Sequence, residues 1–288
     1  MASFDEFSSA AGFSSAAGDG TVVDCHVHLL PGRLGESVRR FFDNHLDGPL
    51  VYPNDHAVTL QALASAGISE AWNLPYAHRP HVAEGLNKAS AQLAAAPPHP
   101  SIQIIGGATV HPADDSPERI LAEALDTLGL RVLKLHCSVG DFEVDDPRLD
   151  KLWKLAENRS VPTVIHAGHH ISGETHQGEL AALENVARRF PGVPLIIAHA
   201  AHPNTVEAMK LVAAYPNIYA DLTPRVIDPV AVTDEDLEAH ADRFLLGTDA
   251  PNTGLTAEAC LSRLDRLSPG TRAAILAGNA RRLLTNAR

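Results

Sequence analysis

TVVDCHVHLL, Thr21 to Leu30, is an apolar run interrupted by Asp24, His26 and His28. A run of this kind, far shorter than the roughly 18 residues of a membrane span, reads as a strand buried on both faces, as a parallel sheet requires. Seven more follow: ISEAWNLPYA (68–77), SIQIIGGATV (101–110), RVLKLHCS (131–138), PTVIHAG (162–168), PLIIAHAA (194–201), NIYADLT (217–223) and FLLGTDAP (244–251). Segments of helical periodicity lie between them. In SPERILAEALDTLG, Ser116 and Pro117 make a start and Gly129 a stop. Eight repeats of strand then helix predict an α/β protein, a (β/α)8 TIM barrel spanning residues 21–288 as one domain. A doubly wound open sheet is the runner-up, but it usually has fewer strands and carries a glycine-rich phosphate turn after the first one, which this chain lacks.

The composition narrows the function. A length of 288 residues suits a single barrel. The net charge is -12 and no run of lysine or arginine would make a phosphate-binding face, so nucleic acid is not an expected partner. No apolar stretch reaches the length of a membrane span, and Asp5 and Glu6 stand where a signal peptide would carry positive charge. The expected location is cytoplasmic, without membrane attachment. Residues 1–20 hold FSSAAG twice in tandem and read as a flexible, low-complexity tail. Cys25, Cys137 and Cys260 lack the paired spacing of a structural zinc site and read as reduced, buried thiols.

The histidines point to metal chemistry. Of 16, twelve fall at or just after the C-terminal end of a strand: His26, His28, His78, His81, His111, His136, His166, His169, His170, His176, His199 and His202. In a barrel of this kind that end carries the active site. His26 and His28 share a strand face with alpha carbons about 6.6 Å apart, so both imidazoles can reach one ion. A pair of satisfied core histidines is the alternative. Asp24 has the same parity one layer deeper, where it is expected to hold a ligand's second nitrogen. His166, His199 and Asp249 end strands 5, 6 and 8 inside apolar runs. A buried carboxylate without a partner is costly, and a cation is an efficient partner.

Taken as an ordered set, DCHVHL, VLKLHCSVGDFEVDDPRLDKLW, PTVIHAG, LIIAHAA, LLGTDAP and GNARRLL resemble the amidohydrolase superfamily, in its amidohydrolase 2 branch, from Thr21 to Leu284. The resemblance implies that His26, His28, His166 and Asp249 bind a divalent metal, zinc or manganese, and that His199 contacts substrate or joins a second metal. A divalent ion brings the pKa of its water to around neutrality, and Asp249 beside it is placed to accept the proton. The expected enzyme is a metal-dependent hydrolase acting on a small carboxylate, ester, lactone or amide. Related sites of the branch also run decarboxylation, lactone opening and hydration, so the ligands alone do not fix the reaction.

Several residues exceed what one ion needs. Lys134 shares a strand face with His136, and two readings stand: a carboxylated lysine bridging two metals, or a charge pair with a barrel carboxylate, which is favoured. His136 is a candidate for a further ligand or a substrate contact. His169, His170, Glu174 and His176 after strand 5, with His202 after strand 6, suit a dinuclear site, and such a mixed set also suits iron and dioxygen. A weaker resemblance, to TIM-barrel non-heme diiron monooxygenases of diterpenoid biosynthesis, implies iron and hydroxylation of a bulky apolar acid or its coenzyme A thioester. Arg33, Arg39 and Arg40 near Phe41, Phe42 and Tyr52 then form an anion-binding rim, or else a solvated amphipathic lid helix. A barrel without catalysis, serving as a binding protein, is the third class. Substrate contacts are expected from Arg225, Asn252, Tyr76 and His78, with Asn73 lining the pocket; an ion pair of Arg225 with Asp228 is an equal alternative. The partner is a small-molecule substrate, and homodimer formation is an open alternative.

Overall fold

The computed structural model describes residues 20–45, 48–168, 178–223 and 232–287. Apart from Gly20, the tail expected over 1–20 lies outside them. Eight parallel strands follow one another around a single sheet in chain order. They are β1 Val23–Val27, β2 Glu70–Asn73, β3 Gln103–Thr109, β4 Val132–Leu135, β5 Thr163–Ile165, β6 Leu195–Ile197, β7 Ile218–Leu222 and β8 Phe244–Leu246. Each lies inside one of the eight apolar runs, and helices connect them, as a (β/α)8 barrel demands. Among the described residues, no helix is long and apolar enough to cross a membrane.

Both strand faces are buried, for different reasons. Val23, Cys25, Trp72, Val132, Val164, Ile196 and Leu245 pack together as the barrel interior. Residues on the outer face, such as Val27, Ala71 and Ile104, pack against the helices. Local chemistry starts several of those helices. Asp55 accepts the Val58 N–H ahead of His56–Ser65, and Thr233 with Asp236 forms a capping box on Asp234–Ala239. Ser116 stands at the N-cap of Pro117–Asp126 with proline in the first turn, although its hydroxyl makes no capping bond. That helix ends at Asp126, and Gly129, at φ 68°, turns the chain toward β4.

The floor of the barrel is closed by the end of the chain. A helix Pro269–Ala273, a π turn Ala274–Gly278 and a helix Asn279–Asn286 run on from one another, and Ala277, Ala280 and Leu283 pack into the interior cluster. Asn279, from GNARRLL, donates its amide to the carbonyls of Ala241 and Phe244, both at 2.8 Å, and so holds the start of β8.

The seam between β1 and β8 determines how the site is built. Asp249 N–H donates to the His26 carbonyl and His28 N–H to the Ala250 carbonyl, each at 2.8 Å. Along the same seam, β1 is irregular: its pairing with β2 runs Val23 to Glu70 and Asp24 to Ala71, then jumps to Val27 opposite Asn73. One extra residue in β1 reverses the alternation of its side chains. Val23 and Cys25 face the interior below the bulge, while His26 and His28 face it above.

Asp24 is therefore on the opposite face from the histidines, and the expectation that it holds a ligand's ring nitrogen is corrected. Its carboxylate instead accepts from Thr248 Oγ1 at 2.6 Å, Thr248 N at 3.0 Å and His26 N at 3.1 Å, fastening β8 to β1. Asn73 also departs from expectation. It is turned toward the helices, with Oδ1 accepting from Leu29 N and Nδ2 donating to Ser90, and does not line the pocket.

Candidate metal centre

The C-terminal mouth gathers five histidines from four strands' ends. His26 and His28 lie edge to face at 4.9 Å between ring centroids, His26 and His199 at 4.9 Å, His166 and His199 at 5.0 Å, and His136 stacks on His166 at 3.8 Å. Tyr76 closes the group, with its ring 5.4 Å from His28 and 5.0 Å from His136. Its hydroxyl meets no hydrogen-bond partner among the described residues, and burial, with Asp249 nearby, pushes its pKa above the usual tyrosine range.

Two ring nitrogens converge without a proton between them. His28 Nδ1 lies 2.7 Å from the Leu74 carbonyl, which only accepts, so Nδ1 carries the proton and Nε2 presents a lone pair. His26 Nδ1 lies 2.8 Å from Asp221 Oδ2 and by the same argument donates to that carboxylate. The two Nε2 atoms are then 3.1 Å apart, lone pair facing lone pair. Burial, with Lys134 and His28 beside it, holds His26 well below the usual histidine pKa of 6.5. Asp249 completes the set, with Oδ1 3.3 Å from His28 Nε2 and 3.9 Å from His26 Nε2. One ligand atom each from His26, His28 and Asp249 lies within 4.8 Å of the others, and the same holds for His26, His199 and Asp221. Two neutral imidazole nitrogens with a carboxylate oxygen form a donor set that fits a divalent cation.

The backbone is bent to present these groups. Asp249 sits at φ 62°, and His199, Ala200 and Ala201 form a left-handed turn at φ 57°, 42° and 54°. Such a conformation costs roughly 1–2 kcal/mol per residue for L-amino acids. Hydrogen bonds offset part of it: Asp221 Oδ1 accepts the His199 N–H at 2.9 Å, and the Asp249 carbonyl accepts from Asn252 N at 2.8 Å. Gly168, at φ 101°, fits against this turn, where a Cβ would lie 2.4 Å from the His202 carbonyl oxygen.

Burial sets the charges of the remaining groups. His199, whose Nδ1 is bonded to the Thr223 hydroxyl, is held well below the usual range by desolvation, with His26 and His166 adding to it. His136, 3.0 Å from Ser138 Oγ through Nδ1, is lowered by burial and by His166. Lys134 is fully buried beneath them with Nζ 3.4 Å from His26 Nε2. Its pKa is lowered to about 8 by burial, against the pull of Asp221 and Asp249. Among the described residues it makes no direct ion pair, so the favoured charge pair becomes a bond to a histidine with the carboxylates acting at longer range. Burial raises Asp221 to about 6, less than it otherwise would because the His199 N–H and Lys134 favour the anion.

Other expected residues are placed as follows. Asn252 is buried beside Asp249. His78 is half-buried, with Nδ1 unpartnered among the described residues. His202 lies next to the His199 turn and belongs to neither tight ligand group. His111 faces away, bonded to the Gly140 carbonyl and the Ala113 N–H. His169, His170, Glu174, His176, Arg225 and Asp228 lie outside the described residues. The residue whose role went unread is Asp221. Its signal was the alternation in YADLT, which puts Tyr219, Asp221 and Thr223 on one face of β7.

Comparison with known proteins identifies the family and the fold. A family model described as Amidohydrolase matches residues 23–285. No curated protein matches the chain by sequence. Among solved structures, an uncharacterised TIM-barrel protein from Bordetella bronchiseptica aligns with TM-score 0.76 and 21% identity over 92% of this chain and 99% of its own. A 2,6-dihydroxybenzoate decarboxylase from Rhizobium gives 0.68 and 16%, over 92% and 98%. A mutant 5-carboxyvanillate decarboxylase from Novosphingobium aromaticivorans, with bound manganese and 3-methoxy-4-hydroxy-5-nitrobenzoic acid, gives 0.65 and 12%, over 94% and 99%. At these identities the likeness is one of fold.

Proposed function

The chain belongs to the amidohydrolase family, and on that premise we propose that it is a divalent-metal-dependent enzyme acting at its barrel mouth on a small carboxylate-bearing substrate, by hydrolysis of an ester, lactone or amide bond. The observation that carries this reading is the convergence of the His26 and His28 Nε2 atoms, 3.1 Å apart, on the Asp249 carboxylate. His26, His28 and Asp249 would hold the ion, with His166 as the expected further ligand. When bound, a divalent ion supplies Lewis-acid polarisation of a substrate oxygen or of water.

The chain's own groups do the rest. Asp249 is partly exposed at the mouth, where its carboxylate can accept a proton from the attacking water and return it to the leaving group. His199 is kept neutral by burial and anchored through Nδ1 to Thr223, which leaves its other ring nitrogen to face substrate. Tyr76 offers a hydroxyl without a hydrogen-bond partner among the described residues, beside His28 and His136, placed to hydrogen-bond a substrate oxygen. The buried surroundings of His26 and Lys134 exclude water from beneath the reacting atoms and strengthen each polar contact there.

Non-oxidative decarboxylation is the second reading, supported by two fold neighbours that are decarboxylases, one of which holds manganese. The oxygenase reading requires iron. The deciding experiment is elemental analysis of protein purified without added metal, then assay against carboxylate esters, lactones, amides and hydroxybenzoates with oxygen uptake recorded. The expected result is about one zinc or manganese per chain and turnover without oxygen. His28→Ala and Asp249→Ala are each expected to lose that metal. Two irons with oxygen consumed in step with product would replace the hydrolase, and full metal in both variants would displace the site.

A further inference from the structure

Asp221 spends both oxygens on two different tasks. Oδ2 takes the Nδ1 proton of His26 at 2.8 Å, and Oδ1 takes the backbone N–H of His199 at 2.9 Å. Its side chain and that of His26 are fully buried, so water does not compete for either bond. One bond fixes which His26 nitrogen is proton-free; the other anchors the left-handed turn that carries His199. We infer that Asp221 is a positioning residue that couples the tautomer of a metal-binding histidine to the placement of the histidine facing substrate, so that both are set by one carboxylate on β7. This rests on the metal-dependent reading proposed above.

The chemistry of the two partners makes the inference testable by a nearly isosteric change. A carboxylate accepts at both oxygens, whereas an amide accepts at one and donates at the other. The His199 backbone N–H can only donate, while an imidazole can exchange tautomers. In Asp221→Asn the amide oxygen will therefore stay with His199, and the amide nitrogen will face His26 Nδ1 and drive its proton to Nε2. That proton occupies the lone pair directed at His28 and Asp249, and the metal loses a ligand. Outer partners of metal-bound histidines typically account for a 10–100-fold change in affinity.

The experiment uses the full chain stripped of metal. Manganese affinity is measured by titration against a competing chelator for wild type and Asp221→Asn, the His26 tautomer is read from nitrogen chemical shifts, and metal-free folding is followed by circular dichroism and melting. Expected are an Nδ1–H tautomer in the wild type, an Nε2–H tautomer in the variant, a roughly 10–100-fold weaker manganese affinity and a retained metal-free fold. Wild-type affinity in a folded variant, or an Nε2–H tautomer in the wild type, overturns the inference. If the variant does not fold, the wild-type tautomer still decides. If wild type binds no manganese or zinc but shows Nδ1–H switched by the substitution, the metal reading fails while the positioning role stands.

Discussion

Gly247 carries no side chain because none fits. A Cβ there would lie 2.9 Å from His26 Cβ and 2.9 Å from Thr223 Cγ2, and neither neighbour can yield. His26 is held by Asp221, and Thr223 is bonded to His199. Gly247→Ala is expected to destabilise the fold by about 1–3 kcal/mol, as overpacking does, and to weaken metal binding by tilting His26. Denaturant unfolding and metal titration check this, and no change in either would mean that the seam can open. At this scale the sequence was readable for residue types and unreadable for alternation. HxH correctly paired His26 with His28, but the bulge that turns Asp24 away leaves no mark in residue identity.

Elements show the same division. Every apolar run contained its strand, because burial on both faces leaves a compositional trace. The ends of those runs were less legible: the HAA of PLIIAHAA is a left-handed turn, held by a hydrogen bond from a different strand. Long-range caps were also hidden. Glu238, in the helix Asp234–Ala239, accepts from Ser268 N and Ser268 Oγ and from Thr271 Oγ1, tying down the start of the helix Pro269–Ala273 that leads into the barrel floor. These bonds favour the carboxylate and lower its pKa from 4.5. A group depressed in the folded state stabilises above its unfolded pKa and loses that contribution as pH falls through the folded value. Glu238→Gln is accordingly expected to melt lower than wild type near pH 7, with the gap narrowing as pH falls below 4.5. A gap that stays constant over that range would assign the effect to lost shape rather than lost charge.

For the molecule as a whole, the topology could be counted from the sequence, but the closure could not, since no local pattern pairs the first strand with the last. Asp24 and Thr248 are 224 positions apart, and with the His26–Asp249 and His28–Ala250 backbone bonds they close the barrel. The candidate ligands straddle this seam, His26 on β1 with His28 just after it and Asp249 just beyond β8. A bound ion would then act as a cross-link between the ends of the fold. Metal at about 100 times its Kd is expected to add about 2.7 kcal/mol to global stability. Melting curves with and without chelator test this; an unchanged transition would place the ion away from the seam. A consequence follows for biosynthesis. His26 and His28 leave the ribosome well before Asp249, separated by roughly ten to forty-five seconds at ordinary translation rates. Until β8 arrives a nascent chain holds the histidine ligands without Asp249, so the binding site is completed only with that strand, and synthesis halted before Thr248 yields a chain with neither a closed barrel nor a complete binding site.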